Sequence, residues 1–195
     1  MISALRSDSC LESRTPRLSL TVRKAVMRDI PGILDLINGY AARGIMLPRT
    51  EFEMSEAIRD FTVVTHGDLL LGCGALHFYS PTAGEIRSLA VAESAKTQGV
   101  GRRLIEALLA EADNYQLHAV FAFTYVVDFF SKVGFHPVER GILPLKAWKD
   151  CLRCPKFQAC DEIAVMRVLQ PERWAGSLPM GEPDPLVQLP IPQSI

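Results

Sequence analysis

Residues 88–109, "SLAVAESAKTQGVGRRLIEALL", pass from an apolar run through a short polar stretch into a strongly periodic segment. Val100, Leu104, Ile105, Leu108, Leu109 and Ala112 recur at helical spacing, which predicts an amphipathic helix over Gly99–Asn114. The preceding run "EIRSLAVA" (85–92) reads as a strand. Gly99-Val100-Gly101 opens the helix, where several N–H groups have no intrahelical partner and the dipole is positive. Glycines let an anion such as a pyrophosphate approach the backbone there, and Arg102 and Arg103 add charge. Taken by itself, G-x-G at a helix start is equally a tight turn.

Working outward, "LSLTVRKA" (18–25) is a strand candidate. Asp29 is placed to cap a helix with Pro31 in its first turn and Ile30, Ile33, Leu34, Ile37 and Ala41 on one face. Thr50 and Glu53 have capping-box spacing and open a second helix over about 50–60. "FTVVT", "LLLGCGALHFY" and "EIRSLAVA", separated by turn residues at "HGD" and "SPTAG", read as an antiparallel meander. After the long helix come a strand "HAVFAFT", a short helix "VVDFFSKVG" ending at Gly134, and a strand "FHPVER". The order β-α-α-β-β-β-α-β-α-β gives one α/β (α+β) domain with a mixed, mostly antiparallel sheet flanked by helices. It is expected over 18–170, between a flexible arm at 1–17 and a tail at 171–195 that carries six prolines.

The chain of 195 residues is long enough for one domain with a full core. With 48% hydrophobic and 22% charged residues it is an ordinary globular composition, and a net charge of −1 gives no electrostatic reason for a nucleic-acid or membrane partner. No apolar run reaches the roughly 18–20 residues of a membrane span, and the N-terminus lacks the apolar core of a secretory signal, so a cytoplasmic location is expected. Five cysteines in that setting read as thiols or ligands before disulfides.

The strand–loop–helix unit resembles motif A of the GCN5-related N-acetyltransferase (GNAT) family, Gln/Arg-x-x-Gly-x-Gly/Ala. Lys96-Thr97-Gln98-Gly99-Val100-Gly101 fills it, with Lys where the family has Gln or Arg, and "FFSKVGF" (129–135) is similar to the family's last helix-to-strand signature. The resemblance implies that the fourth and fifth strands splay apart and that acetyl-CoA, as co-substrate, lies in the gap. The backbone of Leu89, Ala90 and Val91 would then bind the pantetheine arm, and residues Lys96 to Arg102 the pyrophosphate. Thr124, Phe129, Phe130 and Lys132 would line the other side. Glu85 resembles the family's general base, with His77 as an alternative that more often packs structurally. Many members supply a Tyr as general acid where this chain has Phe130; Tyr125 is nearby but is not assigned that role.

"GIMLPRT", "LGCGALH", "EIRSLAV", "FAFTYVVDFF" and "GILPLKAWKDCLRCPKFQACDE" together resemble the stand-alone acetyltransferase form of N-acetylglutamate synthase, with no amino-acid-kinase domain expected ahead of it. This implies transfer of acetyl to the α-amino group of L-glutamate in arginine biosynthesis. Each carboxylate of such an acceptor calls for a fork of donors. Arg49 would take the α-carboxylate with the backbone around Ser88. The side-chain carboxylate would go to the basic segment Lys146, Lys149, Arg153 and Lys156, with Arg153 or Lys156 favoured and the choice left open. Another amino acid, a small amine or a protein lysine as acceptor, or a non-catalytic acetyl-CoA or thiol sensor, are the alternatives. No nucleic-acid or membrane partner is expected, and a homodimer is left open. Cys151, Cys154 and Cys160 supply three ligands where a closed zinc site needs four, so no metal is expected. Cys73, mid-strand, is read as core packing.

Overall fold

The computed structural model describes residues 19–143, 154–156 and 159–174. Its strands are β1 (Thr21–Lys24), β2 (Phe61–His66), β3 (Leu69–Ser80), β4 (Ala83–Val91), β5 (Ala119–Thr124), β6 (His136–Pro137) and β7 (Ile163–Val168). The helices are α1 (Ile30–Ala41), α2 (Glu51–Ala57), α3 (Val100–Asn114) and α4 (Val127–Ser131). The seven strands form one sheet in the order β1-β2-β3-β4-β5-β7-β6. Neighbours run antiparallel except for β4 and β5, so the single α/β domain with a mixed, mostly antiparallel sheet expected from the order of elements is present, meander included.

Apolar periodicity fixes the two helical layers. The six residues of the α3 apolar stripe are all buried on one face of the sheet: Ile105, Leu108, Leu109 and Ala112 cluster with Leu76, Ile86, Val120 and Val165, and Val100 and Leu104 with Val64 and Leu71. On the other face Ile33 and Ile37 of α1 and Met54 of α2 meet Cys73, Ala75 and Ala90. Cys73 is buried as expected, and burial pushes its thiol up to about 12, which removes it from thiolate chemistry at neutral pH.

Four details depart from the sequence reading. Asp29 makes no side-chain cap on α1; its carboxylate accepts from Val26 N–H and from both Arg23 Nη atoms, at 2.6–2.8 Å, because a 3-10 turn at Met27–Asp29 intervenes. The strand expected over 135–140 shrinks to His136–Pro137, since Pro137 has no N–H to continue a ladder. β7 has no counterpart in the sequence reading, yet it lies between β5 and β6 and pairs with β5 along six residues. The segment expected to be tail begins with a 3-10 turn at Pro171–Arg173, and Trp174 packs against the Phe121 cluster. Residues 1–18 and 175–195, hence the arm and most of the tail, lie outside the described residues.

Two features of β4 set its geometry beside its neighbours. It pairs with β5 only at Ala83–Glu85 with Ala119–Phe121, and beyond that point β5 stays with β7 while β4 stays with β3. The strands therefore diverge from Ile86 and Ala122 onward. A register shift in the β3–β4 ladder between Cys73 and Ala75 coincides with Ser88 at φ +52°, a bulge with a left-handed residue at its centre.

Candidate active site

The diverging strands open into a cleft of about 750 Å³. At one end stands the start of α3. Gly99 occupies the N-cap position at φ +78°, and Thr97 is left-handed at φ +69°. No side chain caps this helix, which leaves its first N–H groups without an intrahelical or capping partner where Gly99, Val100 and Gly101 line the cleft. A Cβ on Gly99 would meet no heavy atom within 4 Å, which leaves open space over the turn. Gly101 fits closely instead: a Cβ there would lie 3.2 Å from Phe129 Cζ. This end of the cleft is thus built from backbone. Lys96 bonds Glu93 at 2.9 Å and Arg102 bonds Glu106 at 2.8 Å, so both nearby cations already have carboxylate partners.

Along the gap, Leu89 and Val91 line one wall, while Thr124, Phe129 and Phe130 line the other. Past Glu85, the β4 backbone groups that point toward β5 have no strand partner, and an extended ligand bearing amides suits such an edge. Tyr40 of α1 donates to the Val91 carbonyl at 2.7 Å and fixes the end of that wall. Thr124 Oγ1 accepts from Val126 N–H at 3.0 Å and closes the end of β5. Phe130 sits in the core, edge-on to Phe129 and Phe135.

Side chains dominate the opposite end. Glu85, 8% exposed, lies across from His77 on β3 and Phe121 on β5, on the sheet face away from α3. His77 does not line the cleft; its Nδ1 is 2.8 Å from Asp60 Oδ2 and its ring is edge-on to Tyr79. Arg49 reaches the cleft from the α1–α2 connection. Its backbone is clipped in both directions by Asn38, which donates to Arg49 C=O at 3.0 Å and accepts from Arg49 N–H at 2.9 Å. Arg140, from the turn after β6, and Glu162, just ahead of β7, complete this end with Cys154 and Cys160. Arg140 donates to the carbonyls of Cys160 and Glu162. Burial pushes the Glu162 carboxyl above the usual carboxylate range despite the pull of Arg140.

Of the residues that the sequence points to, Arg49, Glu85, Ser88, Leu89, Val91, Lys96, Thr97, Gly99, Val100, Gly101, Arg102, Thr124, Phe129 and Phe130 meet in this one cleft. Ala90 turns its side chain into the α1 core, so only its backbone is available. Gln98 bonds Ser94 C=O, and Lys132 lines a separate groove with His136 and Arg167. Lys156 is outside the cleft lining: its ammonium lies 3.1 Å from Tyr125 Oη and 3.4 Å from Asp161. Tyr125 lines the cleft but donates its hydroxyl proton to Asp161 at 2.8 Å. Lys146, Lys149, Cys151 and Arg153 lie outside the described residues. Among the described residues, no three His, Cys, Asp or Glu side chains gather as a metal site, and no helix is long and apolar enough to cross a membrane. Sequence reasoning missed Asn38, Tyr40, Arg140 and Glu162. Asn38 is one of several polar residues on α1, beside Asp35 and Tyr40, and like Arg140 and Glu162 it carries no local signal.

A model of the acetyltransferase (GNAT) family matches residues 38–135. The chain belongs to the GNAT acetyltransferase family. As a member it is an acetyl-CoA-dependent N-acetyltransferase. An uncharacterized N-acetyltransferase of Chlorobaculum tepidum is 40% identical over 154 residues, spanning 79% of this chain and 99% of that protein. An amino-acid acetyltransferase of Mycobacterium tuberculosis is 37% identical over 121 residues, 60% of this chain and 69% of that one. Among solved structures, N-acetylglutamate synthase from Neisseria gonorrhoeae, complexed with coenzyme A and N-acetyl-glutamate, matches with a TM-score of 0.71 at 29% identity. That match covers 77% of this GNAT chain and 35% of the Neisseria chain.

Proposed function

We propose that this chain transfers the acetyl group of acetyl-CoA to the α-amino group of L-glutamate, giving N-acetylglutamate and CoA for arginine biosynthesis. The observation that carries the reading is that Glu85 and Arg49, far apart in sequence, line the same cleft as the Gly99–Gly101 turn. The likeness to a synthase solved with coenzyme A and N-acetyl-glutamate supports the choice of acceptor.

In this reading the N–H groups at the start of α3 hold the pyrophosphate, and the free edge of Leu89–Val91 pairs with the amides of the pantetheine arm. Arg49 binds the acceptor's α-carboxylate beside the Ser88 bulge. The acceptor's ammonium must lose a proton before it can attack, and Glu85 takes that proton directly or through a water. The amine nitrogen then bonds to the acetyl carbonyl carbon as the carbon–sulfur bond breaks, and the departing sulfur carries the electron pair. Phe130 has no proton to give, and a CoA thiolate leaves without one. Arg153 and Lys156 remain the proposed cations for the side-chain carboxylate, although the bonds of Lys156 to Tyr125 and Asp161 favour Arg153.

CoA release from acetyl-CoA, measured with a panel of acceptors, tests the proposal. Strong turnover with glutamate and little with aspartate or lysine is expected. Turnover with lysine or a polyamine above that with glutamate, or none with any small acceptor while acetyl-CoA still binds, would overturn it.

A further inference from the structure

Glu162 leads into β7, where strand alternation puts it on the side of Ala164 and Met166. Those two pack with Phe121 and Ala83, on the sheet face that also carries Glu85. Two carboxyl groups, one on β4 and one just ahead of β7, therefore line one cleft, with Arg49 arriving from the α1–α2 connection. Among the described residues, few donors are aimed at the Glu162 carboxyl. The Cys160 thiol is 3.9 Å from its Oε2, and Arg140 directs its Nη2 to backbone carbonyls. Lys156 and Tyr125 are turned to Asp161. Burial and the neighbouring Asp161 favour the neutral form of Glu162, and Arg140 and Lys156 oppose them.

A half-buried carboxyl facing a ligand can act in two ways. Neutral, it donates its O–H to a carboxylate, because two carboxyl groups can occupy one site when they share a proton. Ionised, it repels a carboxylate and accepts an N–H from a carboxamide. Resting on the reading of the acceptor as an α-amino acid, we propose that Glu162 selects the acceptor's side chain: protonated, it holds the carboxylate of glutamate, and ionised, it holds the carboxamide of glutamine.

The test compares kcat/KM for L-glutamate with that for L-glutamine across pH, in the wild-type chain and in Glu162→Gln. Titration of the acceptor amine and of Glu85 affects both acceptors alike and cancels in the ratio. The glutamate-to-glutamine ratio should fall by about tenfold or more from about pH 6 to pH 9 in the wild type, a range through which free glutamate stays ionised. It should be flat in Glu162→Gln, with the acetyl-CoA KM unchanged. A flat wild-type ratio, which needs no variant to fold, would overturn the inference while leaving amino-acid acetylation intact. A variant whose ratio still falls as in the wild type would do the same. Wild-type inactivity with both acceptors would overturn the amino-acid reading and this inference together.

Discussion

The two ends of the cleft are built by different means. The proposed anion end comes from one continuous stretch, residues 88–102, and presents backbone groups shaped by Gly99 and Gly101, while Lys96 and Arg102 are bonded to their own neighbours Glu93 and Glu106. The other end assembles Arg49, Glu85, Arg140 and Glu162 from four separate parts of the chain. Recognition by backbone tolerates the loss of side chains but not of conformation, whereas recognition by side chains fails one residue at a time. Glu85→Gln should break the comparison most strongly. Losing a general base lowers kcat by about 10²–10⁴-fold, and the acetyl-CoA KM should stay as it is. An unchanged kcat in the CoA-release assay would remove Glu85 as base. Arg49→Ala comes next: losing charged hydrogen bonds worth about 1.5–3 kcal/mol should raise the glutamate KM about 10–100-fold. An effect confined to the acetyl-CoA KM would reverse the assignment of that residue.

At the anion end the order of importance should invert, with a glycine mattering more than a cation. Gly99 is left-handed at φ +78°, a conformation that costs a residue with a Cβ about 1–2 kcal/mol. Gly99→Ala should therefore raise the acetyl-CoA KM by about tenfold and leave the acceptor KM alone. Lys96→Ala removes an ammonium already bonded to Glu93, so its effect on the same constant should stay within about threefold. If Lys96→Ala proved the more damaging of the two, the anion end would be recognised through side-chain charge after all. Titrating acetyl-CoA at saturating glutamate measures both.

Legibility in the sequence divides along the same line. The α3 face and its glycine turn are local patterns, and all six residues of the apolar stripe are buried where the helical period puts them. The Thr50–Glu53 capping box forms in both directions for the same reason. β7 escapes because "IAVMRV" is a short apolar run without flanking turn residues, and only the free edge of β5 makes it a strand. Arg140 and Glu162 meet because β7 pairs on one side with β5 and on the other with β6, which no local spacing encodes. Lys156 reads in the sequence as a free cation in a basic run. Its neighbours Tyr125 and Asp161 become visible only once the end of β5 lies beside the segment that leads into β7.

The smallest effect on activity should come from a charge pair that lies outside the cleft altogether. Arg23 and Asp29 join β1 to the turn before α1 through two bonds of 2.6 and 2.8 Å, and Asp29 also accepts from Val26 N–H. The Asp29 carboxyl is 9% exposed, and Arg23 holds it below its ordinary value of 3.8. Its folded-state pKa is depressed, so its contribution is present above that ordinary value and is lost as pH falls through the folded one. Asp29→Asn should cost about 1–2 kcal/mol at neutral pH, measured by urea unfolding. The gap between variant and wild type should close in acid, where the wild-type carboxyl is protonated too. Turnover at saturating substrates should not change, because neither residue lines the cleft. A gap that persisted in acid would show that the amide disturbs packing and not charge. A fall in kcat would mean that the β1–α1 junction helps to place Asn38 and, through it, Arg49.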